Sequence, residues 1–181
     1  MKEVIKIISV LTIVCLVCGF LLSFVYSGAS EKIESNTKKA ISDAIANLAP
    51  FAENIEEIKL GEKIAYKLFD KTGNLTGYAF IAEGQGYQGK IKMLAVIDIN
   101  LEILEGIEII ESIETPGLGA RIQEEFFRKQ FQSLSVLPQI TYTKDIPENS
   151  NQIKAITGAT VSSKAVVNIL NKRIKELSTH F

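Results

Sequence analysis

Past Cys18 the chain has no cysteine, its single histidine is His180 near the end, and it has no tryptophan. Those absences exclude several kinds of chemistry. No Cys/His/carboxylate cluster with metal-ligand spacing can be drawn in the part that follows the N-terminus. With one histidine in the tail, no Ser-His-Asp arrangement can be assembled. A cysteine-free domain needs no disulfide and suits either side of a membrane. An excess of charge of one sign is also missing: 20 basic residues face 21 acidic ones. No basic stripe or tail offers a footprint for nucleic acid. Internal repeats and low-complexity tracts are absent too.

What the N-terminal segment lacks beyond Lys6 is charge. From Ile7 to Ser30 no residue is charged, and a bilayer core is crossed by a helix of about 20 apolar residues. Tyr26 suits the membrane interface. A secretory signal is the competing reading, with Ser27-Gly28-Ala29 as its cleavage site. The apolar run is longer than the roughly 7–15 residues of a signal core, which favours a retained anchor. Lys2 and Lys6 precede the run, while Lys32, Lys38 and Lys39 follow it. Charge alone therefore leaves the orientation open. Cys15 and Cys18 have redox-motif spacing, but they lie inside the apolar run with no βαβ pattern around them. Packing or lipid contact is their expected role.

The remaining pattern predicts an α+β fold. Residues 1–30 form the transmembrane anchor, 31–50 a connecting helix and 51–181 the domain. Ile33, Thr37, Ala40, Ile41, Ala44, Ile45 and Leu48 recur at helical spacing before Pro50. "KIAYKLFD" and "GYAFIAE" flank a turn sequence and predict a hairpin, and "KIKMLAVID" with "ILEGIEIIE" predicts a second. Ile91, Met93, Ala95 and Ile97 share one strand face. "ARIQEEFFRKQF" predicts a helix with Ile122, Phe126 and Phe127 inward, and "LPQITYT" another strand. Val161, Ala165, Val166, Ile169, Leu170, Ile174 and Leu177 trace an amphipathic helix. The whole suggests an antiparallel sheet with helices packed on it.

Two loops carry candidate chemistry, and a third only resembles one that does. "GQGYQG", Gly84 to Gly89, matches a dinucleotide fingerprint in letters only. That fingerprint opens a helix, whereas the following segment alternates as a strand. A strand-to-strand loop is expected. In "ETPGLGAR", Pro116 stiffens the backbone while Gly117 and Gly119 permit close approach by a ligand. Outward-pointing amides there could meet a ligand; equally, the segment could simply join a strand to a helix. "AITGATVSS" places Thr157, Gly158, Ala159, Thr160, Ser162 and Ser163 at the start of the last helix. Free N–H groups and the helix dipole there favour an anion. Hydroxyls of Thr157, Ser162 and Ser163 would donate to phosphate oxygens. The alternative is a cap by Thr157 or Thr160, worth roughly 0.5–2 kcal/mol. The density of small and hydroxyl residues favours a phosphate-bearing ligand.

"ETPGLG" followed by "AITGATVSS" resembles the FMN-binding domain family, over roughly residues 60–178. Size, a single N-terminal span and motif order are most similar to the G subunits of Rnf complexes. The C subunits of sodium-translocating NADH:quinone oxidoreductases are longer relatives. The resemblance implies one covalent FMN per chain, joined through its phosphate to Thr160 by a flavin transferase. Thr160 would be the acceptor of a modification, with no catalytic residue in the chain. Thr157, Gly158 and Ala159 would shape the phosphate site, and Glu114, Thr115, Gly117, Leu118 and Gly119 would line the flavin. The implied setting is a prokaryotic cell membrane, with the N-terminus cytoplasmic and the flavin domain extracytoplasmic. Other membrane subunits of an ion-translocating ferredoxin:NAD⁺ oxidoreductase would be partners, and turnover would belong to the complex. A stand-alone surface flavoprotein and an anchored domain without cofactor are the alternatives. The sequence departs from the family pattern at Lys154, where the transferase motif has Asp, and near Ser112, where His is common.

Overall fold

Helix α1 runs from Lys2 to Leu48 and ends two residues short of Pro50, whose ring cannot continue a helix. The computed structural model describes residues 2–61 and 63–180. It divides into two compact units, Met1–Ala40 and Ile41–Phe181. The expected anchor and connecting helix form one unbroken helix. In the first unit α1 exposes Ile7, Leu16, Phe20, Leu22 and Phe24. Exposed apolar side chains all round a helix suit a lipid environment, and this helix is long and apolar enough to cross a membrane.

The second unit is built on a six-stranded antiparallel meander in the order β1-β2-β3-β4-β5-β6. The strands are β1 Asn54–Leu60, β2 Lys63–Phe69, β3 Leu75–Gln85, β4 Lys90–Asp98, β5 Ile103–Ser112 and β6 Leu134–Ser135. Both expected hairpins, β2–β3 and β4–β5, are present. Strand β1 carries three glutamate and lysine residues on an exposed edge, so its alternation is too polar to stand out. Ile91, Met93, Ala95 and Ile97 share one buried cluster. Leu94 and Val96 point the other way, into a second cluster with Ile41, Ala44, Ile45 and Ala49. Period-two alternation therefore feeds two cores, one on each sheet face. That is why β4 is apolar without a break from Met93 to Ile97.

Helix α3, Thr160–Ser178, covers the larger cluster with Val166, Val167, Leu170 and Leu177. Val161, expected inward, is exposed, because it sits in the first turn beyond the edge of the core. The segment expected as one helix is broken into a 3-10 turn at Gly119–Gln123, the short α2 at Glu125–Arg128 and a second 3-10 turn at Lys129–Phe131. Ile122, Phe127 and Phe131 are buried, but Phe126 is 47% exposed. The change of pitch rotates Phe126 out and brings Phe131 in, where its ring meets Phe127 edge-on at 5.4 Å. Of "LPQITYT" only β7, Thr141–Thr143, is strand. It pairs in parallel with β8, Gln152–Lys154, in a separate two-stranded sheet. That small sheet delivers the chain to the start of α3.

Candidate functional site

The two motif loops meet. Strand β5 ends at Ser112 and the chain turns at Glu114 into the "TPGLG" segment. The Thr115 carbonyl accepts from the amides of Leu118 (3.2 Å) and Ala120 (3.1 Å). Those amides therefore close the turn and do not point outward to a ligand. Gly117 sits at φ +73°, and a Cβ there would meet nothing within 4 Å. Gly119 is different. A Cβ on it would run into Glu114 Oε2 and lie 2.6 Å from Ser162 Oγ. Its bare Cα makes room for a protein contact.

That contact centres on Glu114, which is 7% exposed. Its Oε2 accepts from the Ser162 hydroxyl at 2.6 Å. Its Oε1 accepts from the amides of Tyr87 at 2.7 Å and Gln88 at 3.1 Å. One carboxylate thus ties the start of α3 to the glycine-rich loop between β3 and β4. As expected, that loop joins two strands and opens no helix. Thr115 Oγ1 adds a second tie by donating to Gln88 Oε1 at 2.5 Å. Nothing in "GQGYQG" announces this role; a carboxylate before a glycine turn is the only sequence trace of it.

At the other loop the Ala159 amide bonds to Ile156 O at 2.9 Å, and Gly158 takes φ +83°, a left-handed backbone that glycine adopts without strain. Ser163 Oγ donates to Ala159 O at 3.0 Å and accepts from the Ile156 amide at 3.0 Å. Ser162 and Ser163 are both buried, and each gives its hydroxyl proton to a protein acceptor. They shape the loop from beneath. Thr157 and Gly158 are exposed and Thr160 is half-buried.

The residue before α3 is Ala159, and no side chain caps the helix. Neither Thr157 nor Thr160 performs the capping that would have explained this sequence without a ligand. The first amides of α3 are left for something outside the chain. Beside them lie two exposed apolar side chains, Leu118 and Val161, each at least 50% exposed. Leu118 is close enough that a Cβ on Gly158 would touch its Cδ2 at 3.5 Å. Next to Thr157 is a cleft of about 340 Å³ with Arg121, Phe126, Gln130 and Lys154 in its wall. Gln130 fixes the Lys154 backbone from both sides, at 2.7 and 3.2 Å. The Lys154 side chain is exposed and makes no ion pair among the described residues. Uncapped amides, nearby cations and an apolar flank make a suitable donor set for a flavin phosphate and its ring. No group of histidine, cysteine, aspartate and glutamate among the described residues could hold a metal ion.

The FMN-binding domain matches residues 86–175, from the glycine-rich loop through most of α3. The G subunit of an ion-translocating oxidoreductase complex of Methanosarcina acetivorans is 30% identical, with 98% of this chain and 96% of that one covered. The chain belongs to the family of G subunits of ion-translocating oxidoreductase complexes. The G subunit of a proton-translocating ferredoxin:NAD(+) oxidoreductase complex of Clostridium ljungdahlii is 31% identical over 93% of this chain and 89% of its own. A Na(+)-translocating counterpart from Acetobacterium woodii is 31% identical, covering 86% and 81%. Among solved structures, the C subunit of the Na(+)-translocating NADH-quinone reductase of Parabacteroides distasonis aligns with a TM-score of 0.64. It does so at 16% identity over 82% of this chain and 93% of that one. Shewanella oneidensis NqrC aligns at 0.57, again at 16% identity, covering 69% and 66%. Both confirm the fold. Membership of the G subunits and the FMN-binding domain agree with the resemblance drawn from "ETPGLG" and "AITGATVSS".

Proposed function

We propose that this member of the G subunits is a membrane-anchored electron carrier whose FMN is attached through its phosphate to Thr160. The observation that carries the reading is the start of α3: an uncapped N-terminus whose first residue is a half-buried threonine. A phosphodiester there keeps one negative charge, which free amides and the helix dipole favour. FMN supplies the electron chemistry. The chain's own part is to hold it. Gly158 and Ala159 leave backbone room, Thr157 adds a hydroxyl, and Leu118 and Val161 give an apolar flank. Glu114, Ser162 and Gly119 keep the two loops in register. Lys154 adds positive charge on the Thr157 side, which suits a phosphate, while Arg121 is already paired with Glu124 at 3.4 Å.

Its partners are the other membrane subunits of an Rnf-type ion-translocating ferredoxin:NAD⁺ oxidoreductase, together with a flavin transferase that loads it. Support comes from relatives that are named as G subunits and match across nearly the whole length of the chain. Helix α1 is the single span, with the N-terminus cytoplasmic and the flavin domain outside. Attachment keeps an extracytoplasmic cofactor from diffusing away.

The test is co-expression with a flavin transferase, followed by denaturation, in-gel flavin fluorescence and peptide mass mapping. A mass gain of one FMN less one water on the peptide containing Thr160 supports the assignment. Thr160→Ala should lose that fluorescence and keep the fold. A denaturation-resistant flavin on Thr160→Ala would refute the residue assignment. An unmodified wild type that becomes modified on Lys154→Asp would locate the obstacle in transferase recognition.

A further inference from the structure

The second unit holds a cleft away from the motif loops, between strands β2 to β4 and the C-terminal half of α3, with a volume of about 190 Å³. Pockets for drug-sized molecules run to roughly 300–1,000 Å³, so this one suits a small group and not a nucleotide. Lys63, Lys92, Lys172 and Arg173 line it, against Glu83 and Glu176.

The acids are already engaged. Glu83 faces Lys92 in the β3–β4 register, but its Oε2 pairs with Lys90 at 2.8 Å. Glu176 Oε2 takes both Lys63, at 2.5 Å, and Arg173 Nη1, at 3.3 Å. Lys92 and Lys172 have no ion-pair partner among the described residues. Arg173 is the telling group. It is 4% exposed, yet its guanidinium is only partly used. Nε donates to Ile81 O at 3.2 Å and Nη1 to Glu176, while Nη2 is buried with no acceptor. A buried charged donor without a partner is costly. The structural role of Arg173 is complete with Nε and Nη1 and leaves Nη2 unexplained.

We propose that this cleft is a second anion site that takes a phosphate-type oxyanion, with Arg173, Lys92 and Lys172 as its cationic donors. The unpartnered Nη2 offers a charge-assisted hydrogen bond to one oxygen of such a group, and the two lysines add charge at the rim. Arg173 lies 13 residues after Thr160, about 20 Å along the helix at 1.5 Å per residue. The site is therefore separate from the start of α3.

The oxyanion can be free phosphate or a lipid headgroup, and one experiment separates them. The full chain, loaded with FMN and held in a maltoside detergent, is titrated with inorganic phosphate against chloride at constant ionic strength. In a parallel arm short-chain phosphatidylglycerol replaces phosphate, with a phosphate-free glycolipid as control. Thermal unfolding is followed in both. A rise in the unfolding temperature in the first arm identifies a soluble ligand, and a rise only in the second identifies a headgroup. In either case Lys92→Gln with Lys172→Gln should weaken the response roughly tenfold for each charge-assisted bond lost. Arg173→Gln is the further variant if it folds. No rise in either arm, or an equal rise in the lysine variant, would overturn the proposal. So would a response seen in unloaded Thr160→Ala but absent from the loaded chain, since it would belong to the helix N-terminus.

Discussion

Glu114 Oε2 lies 2.6 Å from Ser162 Oγ, and this bond joins two loops 48 residues apart in sequence. The same carboxylate holds the amides of Tyr87 and Gln88. Glu114→Ala would leave the buried Ser162 hydroxyl and both loop amides without their acceptor. An unpaired buried polar group costs about 1–3 kcal/mol, so the variant should lose on the order of 2–3 kcal/mol. Glu114→Gln keeps an acceptor for the loop and should lose less, about 1 kcal/mol. Thermal unfolding of the detergent-solubilised chain ranks them. No loss in either variant would mean that the carboxylate is not the tie.

The two glycines of the "TPGLG" turn should respond differently to alanine. Gly119→Ala puts a Cβ against Glu114 and Ser162 in a buried position, and overpacking of this kind costs about 1–3 kcal/mol. Gly117→Ala meets no atom within 4 Å, but must hold φ +73°, at a cost of about 1–2 kcal/mol. The distinguishing readout is flavin loading. Gly119→Ala should lower it by separating the loops, and Gly117→Ala should leave it near wild type. The reverse order would show that Gly117 is the close-approach position.

Two adjacent phenylalanines give a control on the broken helix. Phe127 is fully buried and Phe126 is 47% exposed. Phe127→Ala should cost about 3–5 kcal/mol. Phe126→Ala should stay within about 1 kcal/mol, with the Arg121 guanidinium 5.1 Å above its ring. Comparable losses would place Phe126 in the core, as a regular helix would have done.

Lys63 beside Glu176 holds that carboxyl below the ordinary glutamate value, chiefly through their hydrogen bond. A lowered folded-state value means the unfolded chain binds the proton more readily. The stabilisation is therefore present above the unfolded value and lost as pH falls through the folded one. Glu176→Gln should be less stable than wild type near neutral pH, with the gap closing in acid. Unfolding temperatures of both proteins from about pH 7 to about pH 3 follow this. A gap that stays constant across that range would show that the pair contributes no pH-dependent stability.

Much of the fold was legible because burial leaves a period. Ile91, Met93, Ala95 and Ile97 marked a strand face at once, and Val166, Leu170 and Leu177 marked a helix. What escaped was set by tertiary contacts. Strand β1 pairs at a polar edge, and the "ARIQEEFFRKQF" stretch changes pitch to fit three buried side chains. At the site, the hydroxyls and glycines were visible but their division of labour was not. Ser162 and Ser163 look like Thr157 in a sequence; only their burial shows that they serve the loop. Gly119 looks like Gly117; only the neighbouring Glu114 shows what its missing side chain admits.

Helix α3 starts without a side-chain cap, and this bears on the life of the protein before it is loaded. On the proposed reading, a nascent chain would carry a helix whose first amides have no side-chain acceptor until the flavin phosphate is attached. Anything that binds the folded form alone shifts the balance toward it. With the attachment proposed at Thr160, loading would double as a maturation step, and the empty form would be the softer substrate for a protease. Opening at the α3 start would also release Ser162 from Glu114, so the glycine-rich loop would loosen with it. Quality control could distinguish loaded from empty chains by stability alone.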